Sequence, residues 1–283
     1  MEPFKPRSGR HEAALLHLDV WEENESVTAG FSTRNGGVSA SPRNTLNTAL
    51  HVGDIAADVI ANRRRVAEAL GWDFAAWTCA EQVHGNRVHA VTAADRGRGR
   101  LDRESAIPDA DALITNEPGV LLVMYFADCV PLYFYDPATG AAGLAHAGWK
   151  GTVADVAGET IRAMGETYGA RPETMRAAVG PSIGACCYEV DEAVMGRVRP
   201  LTGRLREEFG APEETFYKDG GNGRARLDLK EINRHLMIKA GILPSRIEMT
   251  TWCTGCRTDL FFSHRMEKGA TGRMMSWLGK LKG

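Results

Sequence analysis

Val120-Leu121-Leu122-Val123-Met124-Tyr125-Phe126-Ala127-Asp128-Cys129-Val130-Pro131-Leu132-Tyr133-Phe134-Tyr135 is the stretch that decides the fold. Its two apolar runs, residues 120–126 and 131–135, have the length of buried strands and are too short to cross a membrane. Turn signals bracket them: Asn116-Glu117-Pro118-Gly119 before, and Asp136-Pro137-Ala138-Thr139-Gly140 after. A further run at 112–115 precedes the first turn, and another at 141–145 follows the second. Connections this short imply antiparallel neighbours, because a parallel crossover needs a dozen or more residues.

Working outward, the run at 141–145 delivers His146, and the small residues Ala147 and Gly148 lead into a helical pattern. Thr152 with Asp155 reads as a capping box, and Val153, Val156, Ala157, Ile161 and Met164 recur as a buried face. Asp54 caps a helix running to about Leu70. Residues 191–209 read as a helix broken at Pro200, 218–225 as a glycine-containing loop, and 227–240 as a helix ended by Gly241. Strand patterns are expected at 87–92, 175–179, 247–252 and 273–278, and a charged loop at 95–108. No repeat or linker divides the chain. The expectation is one α+β domain over residues 1–283, with mixed, largely antiparallel β-sheets flanked by helices.

Composition narrows the function classes. The chain has 283 residues, 43% of them hydrophobic, and a formal net charge of −2. Acidic and basic residues are interspersed, so no basic stripe tracks a nucleic-acid backbone. The start, Met1-Glu2-Pro3-Phe4-Lys5, lacks the apolar core of a secretory leader. Six cysteines are too few for a disulfide scaffold of this size, and in a chain without an export signal they stay as thiols. A cytoplasmic protein is expected, binding neither membrane nor nucleic acid, as a monomer or homodimer.

Three polar residues sit where the backbone pattern holds them firmly. His84 lies in Gln82-Val83-His84-Gly85, Cys129 between two strands of the central sheet, and His146 at a strand end. Two imidazoles and a thiolate would leave zinc an open fourth position, as catalytic sites do. The same residues also suit a cysteine nucleophile with a histidine base, or two hydrogen-bonded histidines beside a buried thiol. Spacing does not separate these readings. Arg34, before the Gly36-Gly37 turn, Arg265 and Lys150 are candidate anion ligands. Asp128 and Glu189 are carboxylates placed to orient a histidine or move a proton. Cys253-Thr254-Gly255-Cys256 is a lone CxxC, and Cys186-Cys187 is vicinal; either is most simply structural.

Taken together, these segments resemble the bacterial laccase-domain family, also called the multicopper polyphenol oxidoreductase or peptidoglycan-editing-factor family. The landmarks are Thr33-Arg34-Asn35-Gly36-Gly37-Val38-Ser39, Gln82-Val83-His84-Gly85, Asp109-Ala110-Asp111-Ala112, Ala127-Asp128-Cys129-Val130-Pro131 and His146-Ala147-Gly148-Trp149-Lys150-Gly151. Gly180-Pro181-Ser182-Ile183-Gly184, Cys187-Tyr188-Glu189-Val190 and Phe261-Phe262-Ser263-His264-Arg265 continue the series in order, with Gly272-Arg273-Met274 after them. The resemblance implies a laccase-domain, cytotoxic-necrotising-factor-like fold. It also implies zinc on His84, Cys129 and His146, with copper as the less favoured alternative. It further implies a purine nucleoside phosphorylase acting on adenosine, inosine and S-methyl-5′-thioadenosine, with adenosine deaminase activity. In that reading Cys129, His146, Arg34 and Asp128 carry catalysis, and Arg34, Lys150 and Arg265 hold phosphate and substrate.

Three other functions stand beside it. One is an amidase or cysteine hydrolase that edits peptidoglycan precursors through Cys129, another a polyphenol oxidase, and the last a non-catalytic binding module. The oxidase needs several copper centres built from clustered histidines. The chain has eight histidines, and only His84 with His89, or His235 with His264, offer further ligands.

Overall fold

In the computed structural model, residues 1–7, 13–22 and 27–281 are described. Strands β1 (Phe4–Pro6), β2 (Leu15–Leu18) and β3 (Val27–Ser32) form an antiparallel meander, with the short helix α1 (Asp19–Glu22) before β3. Helix α2 (Ala56–Ala69) leads to β4 (Trp77–Cys79) and β5 (Val88–Ala90). Then come β6 (Ala112–Thr115), β7 (Leu121–Phe126), β8 (Val130–Asp136) and β9 (Ala141–Ala147). Helices α3 (Trp149–Val153) and α4 (Val156–Tyr168) precede β10 (Arg176–Val179) and β11 (Glu189–Val190). Helix α5 (Glu192–Phe209), the hairpin β12 (Tyr217–Gly221) and β13 (Arg224–Leu227), and helix α6 (Leu229–Lys239) follow. Strands β14 (Ile247–Met249) and β15 (Met274–Lys280) complete the set.

The strands assemble into two six-stranded sheets, ordered β1-β2-β3-β15-β7-β4 and β14-β10-β8-β9-β6-β5, and a small sheet β11-β13-β12. Most pairings are antiparallel; β4–β7, β5–β6 and β10–β14 are parallel. The mixed α+β architecture is therefore the one expected. One expectation is corrected. Residues 120–126 and 131–135 are not neighbours in a central sheet, because β7 lies in the first six-stranded sheet and β8 in the second. Ala127-Asp128-Cys129 is the crossing between layers, turned by Asp128 at a φ of 84°.

Side-chain alternation shows how the layers stack. On β7, Leu122, Met124 and Phe126 face the core between the sheets, while Leu121, Val123 and Tyr125 pack on the α2 side with Trp77 and Trp277. On β8, Tyr133 and Tyr135 join the inter-sheet core, and Leu132 and Phe134 meet the α4, α5 and α6 side. Both faces are covered, so these strands read as continuous apolar runs. On β9, Ala145 and Ala147 face the helices and Leu144 faces inward. The same alternation turns His146 inward, at the end of the inter-sheet layer.

Local signals at several helix ends resolve differently from expectation. Asp54 does not cap α2; its carboxylate accepts from Asn47 Nδ2 and the Ile55 N–H, and the helix begins at Ala56. The Thr152–Asp155 capping box does not form. Thr152 belongs to α3, which already starts at Trp149, and Asp155 caps α4 by accepting from the Gly158 N–H at 3.0 Å. Pro200 does not break α5. It lies on the solvent face, where water can take the carbonyl it strands, while buried Met195, Val198, Leu201 and Leu205 hold both halves in register. Residues 218–225 form most of the β12–β13 hairpin rather than a loop.

Candidate active site

At the end of the inter-sheet layer the chain encloses a cavity of about 620 Å³. His84, Cys129 and His146 meet on its wall, with their ligand-capable atoms within 4.8 Å of one another. Each arrives from a different element. His146 is fixed by β9, Cys129 by the crossing from β7 to β8, and His84 by a turn at a φ of 62°. Cys129 Sγ lies 4.0 Å from His84 Nε2, and the two imidazoles meet edge to face at 4.8 Å. Gly148 permits the convergence, since a Cβ there would come within 3.0 Å of both Cys129 Sγ and the His84 ring.

Asp111 organises the group from behind. Its fully buried carboxylate lies 2.9 Å from His146 Nδ1 and accepts the N–H groups of Val83, His84 and Gly85 at 3.1, 2.9 and 2.7 Å. One side chain thus fixes both histidines. Burial opposes the charge on Asp111, but the His146 hydrogen bond and charge, with the Gly85 and Val83 N–H groups, hold its carboxyl below the usual range. Burial also opposes charge on Cys129 and His146. Their mutual attraction prevails, drawing the thiol down to about 6, and together with Asp111 it draws the imidazole up to about 9.

The donor set fits a metal. Two imidazoles and one readily ionised thiol surround a common point, and a carboxylate on Nδ1 leaves His146 Nε2 as the ligand atom. Three protein ligands would leave a bound metal a further coordination position for water or substrate.

The rest of the cavity is cationic at one end. Arg63, Arg103 and Arg273 line it beside His51, outnumbering the carboxylates Glu81 and Asp102. His51 is exposed on one side; desolvation by the cavity wall on the other, with the fields of Arg273, Arg103 and Arg63 against an opposing Glu81, draws its imidazole down to about 4. Arg63 is positioned by the carbonyls of Thr48, Gly99 and Arg100 and lies under the Tyr125 ring, and Arg103 pairs with Glu81. Arg273 Nη1 donates to the carbonyls of Thr271 and Gly272 at 3.2 and 2.9 Å. Such a lobe suits a multiply charged anion. A second hollow of about 270 Å³ shares His84 and Cys129 with the cavity and is lined also by Lys150, Ile183 and Leu229.

The expected residues fare unequally. Arg265 and Asp128 line the main cavity, and Lys150 the adjoining hollow. The Asp128 carboxylate is occupied, accepting from Thr254 Oγ1, Ser263 Oγ and the Arg265 N–H at 2.7, 2.8 and 2.7 Å, so it ties the crossing to the Arg265 segment. Arg265 places its guanidinium 5.0 Å over the Tyr188 ring. The role of orienting a histidine, expected of Asp128 or Glu189, falls to Asp111; Glu189 pairs with Arg224 at the surface. Arg34 does not line the cavity. Its guanidinium is spent on the carbonyls of Asn44, Thr258 and Phe261 and on Glu267, which makes it a structural clamp. Sequence reasoning missed Asp111, His51, Arg63, Arg103 and Arg273 as site residues. Arg63 carried a usable signal, being a charge on the apolar stripe of α2.

Comparison with known proteins places the chain among proteins of similar sequence and fold. The sequence signature of a family described as multi-copper polyphenol oxidoreductase laccase matches residues 28–280. The chain is 43% identical over 283 residues to a purine nucleoside phosphorylase, YlmD, of Bacillus subtilis, covering 99% of each chain. The crystal structure of YlmD from Geobacillus stearothermophilus superimposes with a TM-score of 0.90 at 40% identity, covering 100% of both chains. That of a hypothetical protein, YfiH, from Bacillus licheniformis does so at 0.89 and 41%, again over 100% of both.

Proposed function

The chain belongs to the multi-copper polyphenol oxidoreductase laccase family, and from that premise we propose that its cavity is the active site of a zinc-dependent purine nucleoside phosphorylase. One observation carries the reading: a single cavity joins a three-ligand centre to a lobe where Arg63, Arg103 and Arg273 act on His51. The similarity to relatives named purine nucleoside phosphorylase supports it.

In phosphorolysis of inosine a phosphate oxygen bonds to the ribose C1′. The C1′–N9 bond breaks, and the purine leaves with the electron pair and takes up a proton. Arg273 binds and orients the phosphate, its guanidinium being held by backbone carbonyls and losing little freedom on binding, while buried Arg63, whose Nε and Nη1 are taken by carbonyls, contributes its positive field. Tyr188 lines both hollows, and burial pushes its phenol well above the usual range, so it stays protonated as an O–H donor for the substrate. Asp111 keeps the proton of His146 on Nδ1. His84, Cys129 and His146 would hold the zinc, which when bound would supply Lewis acidity toward a substrate oxygen or a water. Adenosine and S-methyl-5′-thioadenosine belong to the same substrate class. Deamination of adenosine, exchanging the C6 amino group for a water oxygen with release of ammonia, draws on the same centre.

Zinc suits the site better than copper. A multicopper centre would need several clusters of histidines, and among the described residues His84, Cys129 and His146 are the one histidine-containing group placed to hold a metal. The lowered Cys129 thiol favours one rival, a cysteine hydrolase in which Cys129 attacks a carbonyl. The deciding experiment incubates purified, zinc-loaded protein with inosine, with and without phosphate. Phosphate-dependent formation of hypoxanthine and ribose 1-phosphate is expected; none, at full zinc occupancy, removes the reading.

A further inference from the structure

Four cysteines outside the cavity converge from two distant segments. Cys186 Sγ lies 3.4 Å from Cys256 Sγ and 3.5 Å from Cys253 Sγ, Cys187 Sγ lies 3.4 Å from Cys256 Sγ, and all four sulfurs fall within 4.8 Å of one another. We propose that Cys186, Cys187, Cys253 and Cys256 form a second metal site, a closed tetrathiolate that holds one zinc ion.

The geometry is that of a single tetrahedral ion. Four sulfurs at a zinc–sulfur distance of about 2.3 Å stand about 3.8 Å apart, within the spread seen here. A disulfide needs sulfurs at bonding distance, about 2.05 Å, and all four thiols are free. Four sulfurs this close enclose one ion, with no space for a multi-iron cluster.

The backbone is shaped for this arrangement. The Gly184 N–H donates to Cys253 Sγ at 3.2 Å, and the Cys256 N–H also bonds that sulfur, as donors do around a coordinated thiolate. Gly255 is required by the approach, because a Cβ there would come within 2.8 Å of Cys187 Cβ and 3.1 Å of its sulfur. Ser182 and Cys253 pair as an isolated parallel bridge, and the Thr254 N–H donates to the Ser182 carbonyl at 3.0 Å, locking the segments in register. Binding one zinc ion displaces four thiol protons to solvent and leaves a centre of net charge −2. Arg226, whose guanidinium bonds the Cys186 carbonyl, lies beside that charge.

The site would act as a staple. Cys187 adjoins Tyr188 of the cavity wall, while Thr254, between the other two ligands, bonds Asp128. A closed tetrathiolate offers no open position for substrate, so its role is to fix this wall.

Zinc content measured on protein prepared with zinc tests the proposal. Wild-type protein is expected to hold two zinc ions per chain, Cys129→Ala one, and Cys256→Ser one. Cobalt added to metal-free Cys129→Ala protein is expected to give sulfur-to-cobalt charge transfer and the visible bands of a tetrahedral thiolate. Zinc that falls to none in Cys129→Ala, or an absence of thiolate bands with cobalt, overturns the proposal. So does a disulfide within the quartet, found by alkylation and mass measurement. If Cys256→Ser does not fold, the wild-type count and the cobalt spectrum still decide. A single zinc in wild-type protein that Cys129→Ala retains and Cys256→Ser loses would count against the triad and leave the quartet standing.

Discussion

Asp111 Oδ1 stands 2.9 Å from His146 Nδ1, while the same carboxylate gathers the three N–H groups around His84. Asp111→Asn keeps the volume but replaces one acceptor oxygen with a donor, so at least one of these contacts is lost. Zinc affinity at the triad is expected to fall roughly 10- to 100-fold, as when such partners of ligand histidines are removed. Stability should fall by about 1–3 kcal/mol for the stranded buried donors. Competition against a chelator measures the first and thermal unfolding the second. An unchanged zinc affinity would mean that Asp111 is only a turn support.

Arg273 and Arg34 should separate binding from scaffolding. Arg273→Ala removes a guanidinium from the cationic lobe and should raise the phosphate KM roughly 10- to 100-fold, the worth of one charge-assisted hydrogen bond. The inosine KM should change far less. Arg34→Ala strands Glu267 and three carbonyls instead. It should cost about 3 kcal/mol of stability while leaving the phosphate KM as it was. A raised phosphate KM in folded Arg34→Ala protein would return Arg34 to the cavity.

The strands were legible because apolar runs stopped at Pro-Gly and Asp-Pro turns, and residues 112–115 match β6 outright. Which sheet each strand joins was not. β7 and β8 are buried on both faces, so neither shows the polar alternation that would mark a solvent side, and Asp128 hides the crossing in one residue of unusual φ. The three triad residues were grouped from the sequence pattern with metal, nucleophile and packing readings all open, and the resemblance selected the metal. Asp111 escaped because an aspartate in a loop has many uses, and Arg34 misled because a glycine turn beside an arginine reads alike whether it holds an anion or a carbonyl. The cysteine quartet was invisible as a unit. Its halves lie about 70 positions apart, and each half is ambiguous alone.

His51 gives a pH-dependent signature. Its imidazole, at about 4 instead of 6.5, stays neutral in the folded protein, through desolvation by the cavity wall on one side of an otherwise exposed residue and then through Arg273. Below about 6.5 the unfolded chain takes up a proton that the folded one resists. Stability from this residue is therefore present at neutral pH and lost as pH falls from 6.5 to about 4. His51→Asn should flatten that limb of an acid-unfolding curve. Phosphate in the lobe offsets the arginine field and should move the His51 titration upward, read by NMR of the ring proton. A titration indifferent to saturating phosphate would place the anion elsewhere.

Cys129 separates the two chemical readings of the cavity. As a zinc ligand its sulfur is needed to retain the metal, so Cys129→Ala should lose the triad zinc and with it phosphorolysis, leaving only zinc held outside the cavity. As a nucleophile beside His146 it is needed for turnover alone, and the same variant would keep its full zinc content while losing activity. Cys129→Ser sharpens the contrast. Serine is a poor zinc ligand yet keeps a nucleophilic oxygen, so zinc content and activity should fall together under the metal reading. Added zinc at high concentration should then restore part of the phosphorolysis in Cys129→Ser and none in Cys129→Ala. Residual activity in Cys129→Ser that zinc does not raise would favour the hydrolase.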